Sequence, residues 1–197
     1  SGYYEYNGDN AKEFGEQKYQ ESIKNFQQME KRFKELPHTR IVMTGTSPYD
    51  ETAQIKDNTV FKKKNETIKR IIEYQRESAA RNGWEFTDWN APMVAINQEL
   101  QQKDPSFTLC GNDRIHPDND GHMVMAYLFL KAQGFAGKDV ANMEINANKK
   151  QAVKAEGCTI SNIKKIGKDI SFDYLAEALP YPLDTIARGW GSKKSQA

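Results

Sequence analysis

The chain has 197 residues, with 28 lysines and arginines against 27 aspartates and glutamates, and a formal net charge of +1. This length fits one domain, or one domain with a small appendage. The charges are spread along the chain without a basic stripe, which disfavours nucleic acid as a partner. No apolar run approaches the length that spans a bilayer, so the sequence does not predict a membrane partner either.

The chain begins with a helical pattern followed by a strand-like one. Apolar residues recur at helical spacing over residues 19–36, and Pro37 is expected to end that helix. Residues 40–45 form a β-branched run that predicts a buried strand. Residues 46–51 then form a loop at the carboxyl end of this strand.

The same alternation continues further along the chain. A second helix is predicted from Phe61 to the Asn82-Gly83 pair, because apolar residues again recur at helical spacing and glycine favours a helix end. Residues 84–88 are typical of another short strand. Pro92 lies where a first helical turn would begin, and it predicts a third helix.

A last long helix is predicted to have Asp118 or Asn119 as its cap and to close at Gly134. Strands and helices that alternate in this way predict an α/β domain with parallel strands. Ligands bind beyond the carboxyl ends of such strands. We therefore expect the functional residues on the loops 46–51 and 113–116.

Residues 139–180 have a different pattern. Apolar and polar side chains alternate in several short segments, and Gly157 and Gly167 mark turns between them. This predicts a small antiparallel β appendage after an α/β domain that occupies residues 1–138. The sequence predicts no structure for the tail 181–197.

Asp113 precedes His116 by three residues, on a loop that ends where the last long helix begins. An aspartate can accept a hydrogen bond from one ring nitrogen of histidine, while the other nitrogen takes a proton from a nucleophile. The structural alternative is a loop in which both side chains hold the chain near the helix start. Because functional residues concentrate on loops of this kind, we interpret the pair as a general base and its orienting partner.

Other candidate sites fit their chemistry less well. Four side chains around the helix start could be proposed as metal ligands: His116, Asp118, Asp120 and His122. Their spacing fails the EF-hand pattern and lacks the two-histidine helix motif of zinc hydrolases, so we expect no metal and no other cofactor. Ser47 lies on the first strand-end loop, but Pro48 lacks the backbone N–H that an oxyanion hole would use, which disfavours Ser47 as a nucleophile.

The cysteines and the N-terminal tyrosines leave alternatives open. Cys110 and Cys158 match no metal spacing and could be two buried thiols or one disulfide, with thiols favoured because burial is the commoner fate of cysteine. Tyr3, Tyr4 and Tyr6 could stack on a sugar. Tyrosines near a chain end more often pack locally.

The segment Asp113-Arg114-Ile115-His116-Pro117, with Asn112 before it and a helix after it, resembles the last conserved block of SGNH (GDSL-like) hydrolases. The similarity covers roughly residues 1–135 and is most specific at this block. It implies a flavodoxin-like three-layer fold with a parallel sheet, and hydrolysis of esters, often acetyl groups on carbohydrates. By resemblance, His116 is the general base and Asp113 orients it. Asn112, Tyr3 and Tyr49 are candidate substrate contacts.

Family members also carry a nucleophilic serine in a G-D-S motif, an oxyanion-hole glycine and a G-x-N-D motif, which this chain lacks. Residues 1–6 resemble the segment that follows G-x-N-D. The chain is therefore expected to be the C-terminal portion of such an enzyme and to be inactive alone. Its expected partners are an ester substrate and the N-terminal part of the same hydrolase domain, and its expected location is extracellular or periplasmic.

Two other functions remain open on the sequence. A non-catalytic module could present aromatic side chains to a glycan, with the β appendage contacting a partner; these residues are Tyr3, Tyr4, Tyr6, Tyr49 and Trp190. A structural or oligomerisation domain is the third possibility.

Overall fold

A computed structural model describes residues 10–56 and 58–178 of the chain. The described residues fall into two compact units, the first extending to Gly134 and the second beginning at Phe135. The predicted tail and the tyrosines at positions 3, 4 and 6 lie outside the described residues.

Within its described residues, the first unit contains helices and short strands in the predicted order. They are α1 (Ala11–Lys34), β1 (Val42–Thr44), α2 (Lys64–Asn82), β2 (Glu85–Thr87), α3 (Asn90–Leu100) and α4 (Asn119–Ala132). The predicted order and type of these elements are confirmed, because the apolar periodicity and the Pro and Gly positions mark them locally. Helix α1 is longer than predicted, since it begins at Ala11 rather than near Tyr19.

The two strands pair in parallel, with Met43 opposite Phe86. Helix α2 connects the strands, which gives a β-α-β unit. Phe26 of α1 and Ala79 of α2 bury Met43, and Phe33 packs edge-to-face on Trp84 with ring centroids 5.9 Å apart. The mixed α/β character is thus confirmed. In the described residues, the parallel sheet has two strands.

The start of α2 differs from the prediction. Phe61 lies before the helix, where its ring stacks on Tyr49 at a centroid distance of 6.1 Å. The helix begins at Lys64 because the carboxylate of Glu51 accepts hydrogen bonds from the backbone N–H groups of Lys63 (2.9 Å) and Asn65 (2.8 Å). A distant carboxylate therefore satisfies the first amides of this helix, as a local cap would.

Helix α4 has an unusual environment in this unit. Asp118 occupies the N-cap position, as predicted, but its side chain makes no capping hydrogen bond. Gly121 is the buried residue of this fully described helix. Its other side chains include an exposed apolar stripe: Met123 is 37%, Tyr127 60% and Leu130 50% exposed.

The second unit consists of antiparallel hairpins, as the alternating pattern predicts. Its strands are β3 (Asn142–Asn146), β4 (Gln151–Glu156), β5 (Cys158–Ile166) and β6 (Asp169–Ala176), with β3 paired to β4 and β5 to β6. Gly157 and Gly167 mark the turns with φ of +66° and +61°. A Cβ at Gly157 would lie 2.3 Å from the carbonyl oxygen of Val140, so glycine is required there.

Candidate functional site

The loop that carries Asp113 and His116 is closed by its own backbone. Cys110 and Pro117 form an antiparallel bridge, and the Gly111 N–H donates to the carbonyl oxygen of His116 at 2.7 Å. Between these two residues, the Arg114 N–H donates to the carbonyl oxygen of Gly111 at 2.8 Å. The result is a tight turn that places residues three apart side by side.

Within the turn, Asp113 accepts hydrogen bonds through both carboxylate oxygens. Oδ2 is bonded to Nδ1 of His116. Oδ1 accepts from the backbone N–H groups of Ile115 (3.1 Å) and His116 (3.0 Å). The carboxylate is thus fixed by backbone donors while it engages the imidazole ring, as the spacing of the two residues led us to expect.

The charge of Asp113 follows from these contacts. Partial burial acts to raise the pKa of Asp113, but the hydrogen bonds from the His116 side chain and from the two amides outweigh it and lower the pKa. An ionised carboxylate can only accept hydrogen bonds, so the Nδ1 atom of His116 carries the proton. In that tautomer, Nε2 is the nitrogen that can accept a proton.

The loop 46–51 forms hydrogen bonds with this turn. The Ser47 hydroxyl, in a residue that is 8% exposed, donates to the carbonyl oxygen of Ile115 at 3.3 Å. The backbone N–H of Asp50 donates to the carbonyl oxygen of Arg114 at 2.8 Å. The two loops that the sequence places at strand ends are therefore joined, and Ser47 contributes to the structure of that junction.

The predicted substrate contacts have different environments. Tyr49 is 2% exposed, and its hydroxyl accepts a hydrogen bond from the Phe61 N–H at 3.1 Å, so its ring belongs to the interior of this unit. Asn112 is exposed on the turn, and its carbonyl oxygen accepts from the Asn58 side chain. Tyr3 and Trp190 lie outside the described residues. A role in substrate binding remains a prediction for all of them.

Both cysteines are buried free thiols, so no disulfide joins them. Burial is the main reason that the pKa of the Cys110 thiol is raised, and its sulfur donates to the carbonyl oxygen of Pro48 at 3.3 Å. Cys110 is therefore a structural thiol at the loop junction rather than a nucleophile. Among the described residues, no group of three histidine, cysteine or acidic side chains could hold a metal ion.

A cavity of about 310 Å³ lies near the N-terminus of α2. Its walls come from residues 49–52, from the start of α2 and from α3. Asp113 and His116 are not among the lining residues, so the Asp113–His116 pair stands on an exposed surface outside this cavity.

Arg114 is the site residue that the sequence analysis missed. Arginine is ordinarily a surface residue, yet Arg114 is 1% exposed and has a φ of +67°. The signal in the sequence would have been an arginine between the two candidate catalytic residues, but its hydrogen-bond partners are more than fifty residues earlier in the chain.

Comparison with known proteins adds no assignment. No family model matches the sequence, and no curated protein matches it either. Over residues 10–56 and 58–178, no helix combines the length and apolar character needed to cross a membrane.

Proposed function

We propose that this chain is the C-terminal portion of an SGNH-type serine esterase, in which His116 is the general base and Asp113 orients it. The observation that carries the proposal is the hydrogen bond between the Asp113 carboxylate and Nδ1 of His116. Ester substrates, with acetylated carbohydrates as the expected class, follow from the resemblance of residues 112–117 to that family. An extracellular or periplasmic location is part of the same proposal.

In the proposed reaction, Nε2 of His116 takes the proton of a serine hydroxyl as the serine oxygen attacks the ester carbonyl. The tetrahedral intermediate collapses, His116 gives that proton to the leaving alcohol, and an acyl-enzyme remains. Nε2 then deprotonates a water molecule, which attacks the acyl carbon. The bond from that carbon to the serine oxygen breaks, the carboxylic acid leaves, and His116 returns the proton to the serine oxygen. Asp113 stabilises the imidazolium form in both halves of the reaction.

The serine is proposed to come from a region upstream of these residues. Ser47, which contacts the Asp113–His116 turn, directs its hydroxyl to the Ile115 carbonyl and is followed by Pro48. The exposed stripe of Met123, Tyr127 and Leu130 on α4 supports further structure over this unit, because contiguous apolar surface usually marks an interface. Additional parallel strands and helices of a flavodoxin-like three-layer sheet would bury this stripe.

The test uses the complete protein with a p-nitrophenyl acetate assay. We expect His116→Ala to reduce hydrolysis by at least about two orders of magnitude, because the general base is lost. His38→Ala is the matched control, since His38 is an exposed histidine on the turn after α1. Full activity of the His116→Ala protein would end the assignment.

A non-catalytic glycan- or partner-binding module is the second candidate. It is favoured by the hydrogen bond of the Ser47 hydroxyl to the Ile115 carbonyl oxygen, because that bond engages the serine beside the turn in structure rather than in catalysis. A fluorophosphonate probe distinguishes the two functions. Covalent labelling of the complete protein supports the esterase, and glycan binding without labelling supports the module.

A further inference from the structure

Arg114 combines burial with a backbone conformation that is unfavourable for its residue type. Its φ of +67° lies in the left-handed region, which glycine adopts freely and residues with a Cβ adopt at a cost. The residue is also 1% exposed, so its cationic group is removed from water. Contacts of the side chain must offset both costs.

Those contacts join the turn to the segment 50–53. Nη1 of Arg114 donates to the carbonyl oxygens of Ala53 (2.7 Å) and Asp50 (3.2 Å), and Nε donates to Oδ1 of Asn58 at 2.9 Å. The Asp50 N–H returns a bond to the Arg114 carbonyl oxygen at 2.8 Å. A planar guanidinium can serve several fixed acceptors at once, which the single nitrogen of lysine cannot do in the same geometry.

The position of Arg114 in the chain connects this anchor to Asp113 and His116. Arg114 follows Asp113 directly and precedes the two amides, of Ile115 and His116, that bind the Asp113 carboxylate. A change in the backbone of Arg114 would therefore move the carboxylate relative to both amides and to the imidazole ring.

We infer that Arg114 is a positioning residue, which holds Asp113 and His116 in hydrogen-bonding geometry by anchoring their turn to residues 50–53. Its contribution to catalysis rests on the proposed esterase function. Its effect on the Asp113–His116 pair does not, because the hydrogen bond is a property of this chain whether or not an ester is cleaved.

The inference is tested by NMR on the 197-residue chain with Arg114→Gly and Arg114→Lys. Glycine relieves the left-handed backbone and removes the anchor, whereas lysine keeps the charge without the guanidinium geometry. In the unsubstituted protein, the proton shared by Nδ1 of His116 and Asp113 should give a downfield resonance. We expect this resonance to be lost in Arg114→Gly and weakened in Arg114→Lys, and the pKa of Asp113 to rise towards its ordinary value in both.

Circular dichroism and the thermal midpoint separate this effect from unfolding. Arg40→Ala is the matched control, because Arg40 is an exposed arginine whose side chain pairs with Glu85, and it should leave the resonance unchanged. If Arg114→Gly does not fold, the downfield resonance and the Asp113 titration of Arg114→Lys test the inference. An intact resonance and an unchanged Asp113 titration in the folded variants would overturn the inference.

The esterase proposal is assessed separately in the complete protein. If both hold, Arg114→Lys lowers kcat with little change in KM, since the turn acts on the base rather than on substrate binding. If the unsubstituted complete protein has no esterase activity and the Arg114 variants still lose the resonance, the proposed function is refuted and the positioning role remains.

Discussion

His116 is bonded to Asp113 twice, once through Nδ1 of its ring and once through its backbone N–H at 3.0 Å. The backbone bond fixes where the carboxylate lies, and the ring bond fixes how the imidazole is oriented. Both bonds arise within four residues, while the turn that carries them is joined to residues 50–53 through Arg114.

Replacing Asp113 by asparagine tests the proposed role of Asp113 in ester hydrolysis. Asparagine has the same shape, but its neutral amide no longer stabilises an imidazolium, so we expect kcat of the complete protein to fall by about three to four orders of magnitude. The measurement is steady-state hydrolysis of an acetyl ester. Asp104→Asn, on the exposed turn after α3, is the matched control and should retain activity. A fall of less than tenfold for Asp113→Asn would contradict the assignment.

The lowered pKa of Asp113 also predicts a pH dependence of stability. A carboxyl group whose pKa is lower in the folded state stabilises the fold above its unfolded pKa, and this contribution is lost as pH falls through the folded value. We therefore expect the difference in urea midpoint between the parent chain and Asp113→Asn to be larger at pH 6 than below about pH 3. The effect should be modest, since Asp113 is 42% exposed and solvent screens its interactions.

The sequence was sufficient for features that depend on near neighbours. The helices follow from apolar spacing, the hairpin turns follow from Gly157 and Gly167, and the Asp113–His116 contact follows from their separation by three residues. Each of these contacts lies between near neighbours, although the turn of Asp113 and His116 is also anchored to residues 50–53 through Arg114. Their prediction therefore did not depend on knowing the fold.

Features that depend on distant partners could not be predicted in this way. Glu51 sets the start of α2 from twelve residues earlier, which moved Phe61 out of the helix. The buried guanidinium of Arg114 donates hydrogen bonds to carbonyl groups more than sixty residues away in sequence. In both cases, a polar group from another segment overrides the local preference of the residue.

The contact of Glu51 with α2 gives a prediction on stability. Glu51→Ala removes the acceptor for the N–H groups of Lys63 and Asn65, and we expect it to lower the free energy of unfolding by about 1 kcal/mol. Urea denaturation measures this loss. Glu77→Ala is the matched control within α2, because Glu77 is exposed and lies 3.7 Å from Arg81, so its loss should be below about 0.5 kcal/mol. Equal losses for the two variants would contradict a capping role.

The exposed stripe on α4 gives a prediction that compares the 197-residue chain with the complete protein proposed above. Leu130 is 50% exposed, so Leu130→Ala should change the stability of the 197-residue chain by no more than about 1 kcal/mol. If upstream strands and helices cover the stripe, the same substitution should cost roughly 2–5 kcal/mol in the complete protein, because it would then leave a cavity in a core.

Ile72→Ala is the control for this comparison, because Ile72 is 3% exposed and its truncation should be costly in both proteins. Urea midpoints of the four variants and their parents give the required differences. A small cost for Leu130→Ala in both proteins, with a large cost for Ile72→Ala, would mean that the α4 stripe remains at the surface. The proposed three-layer sheet would then need to be completed elsewhere on this unit, since the stripe could no longer be its interface with the upstream region.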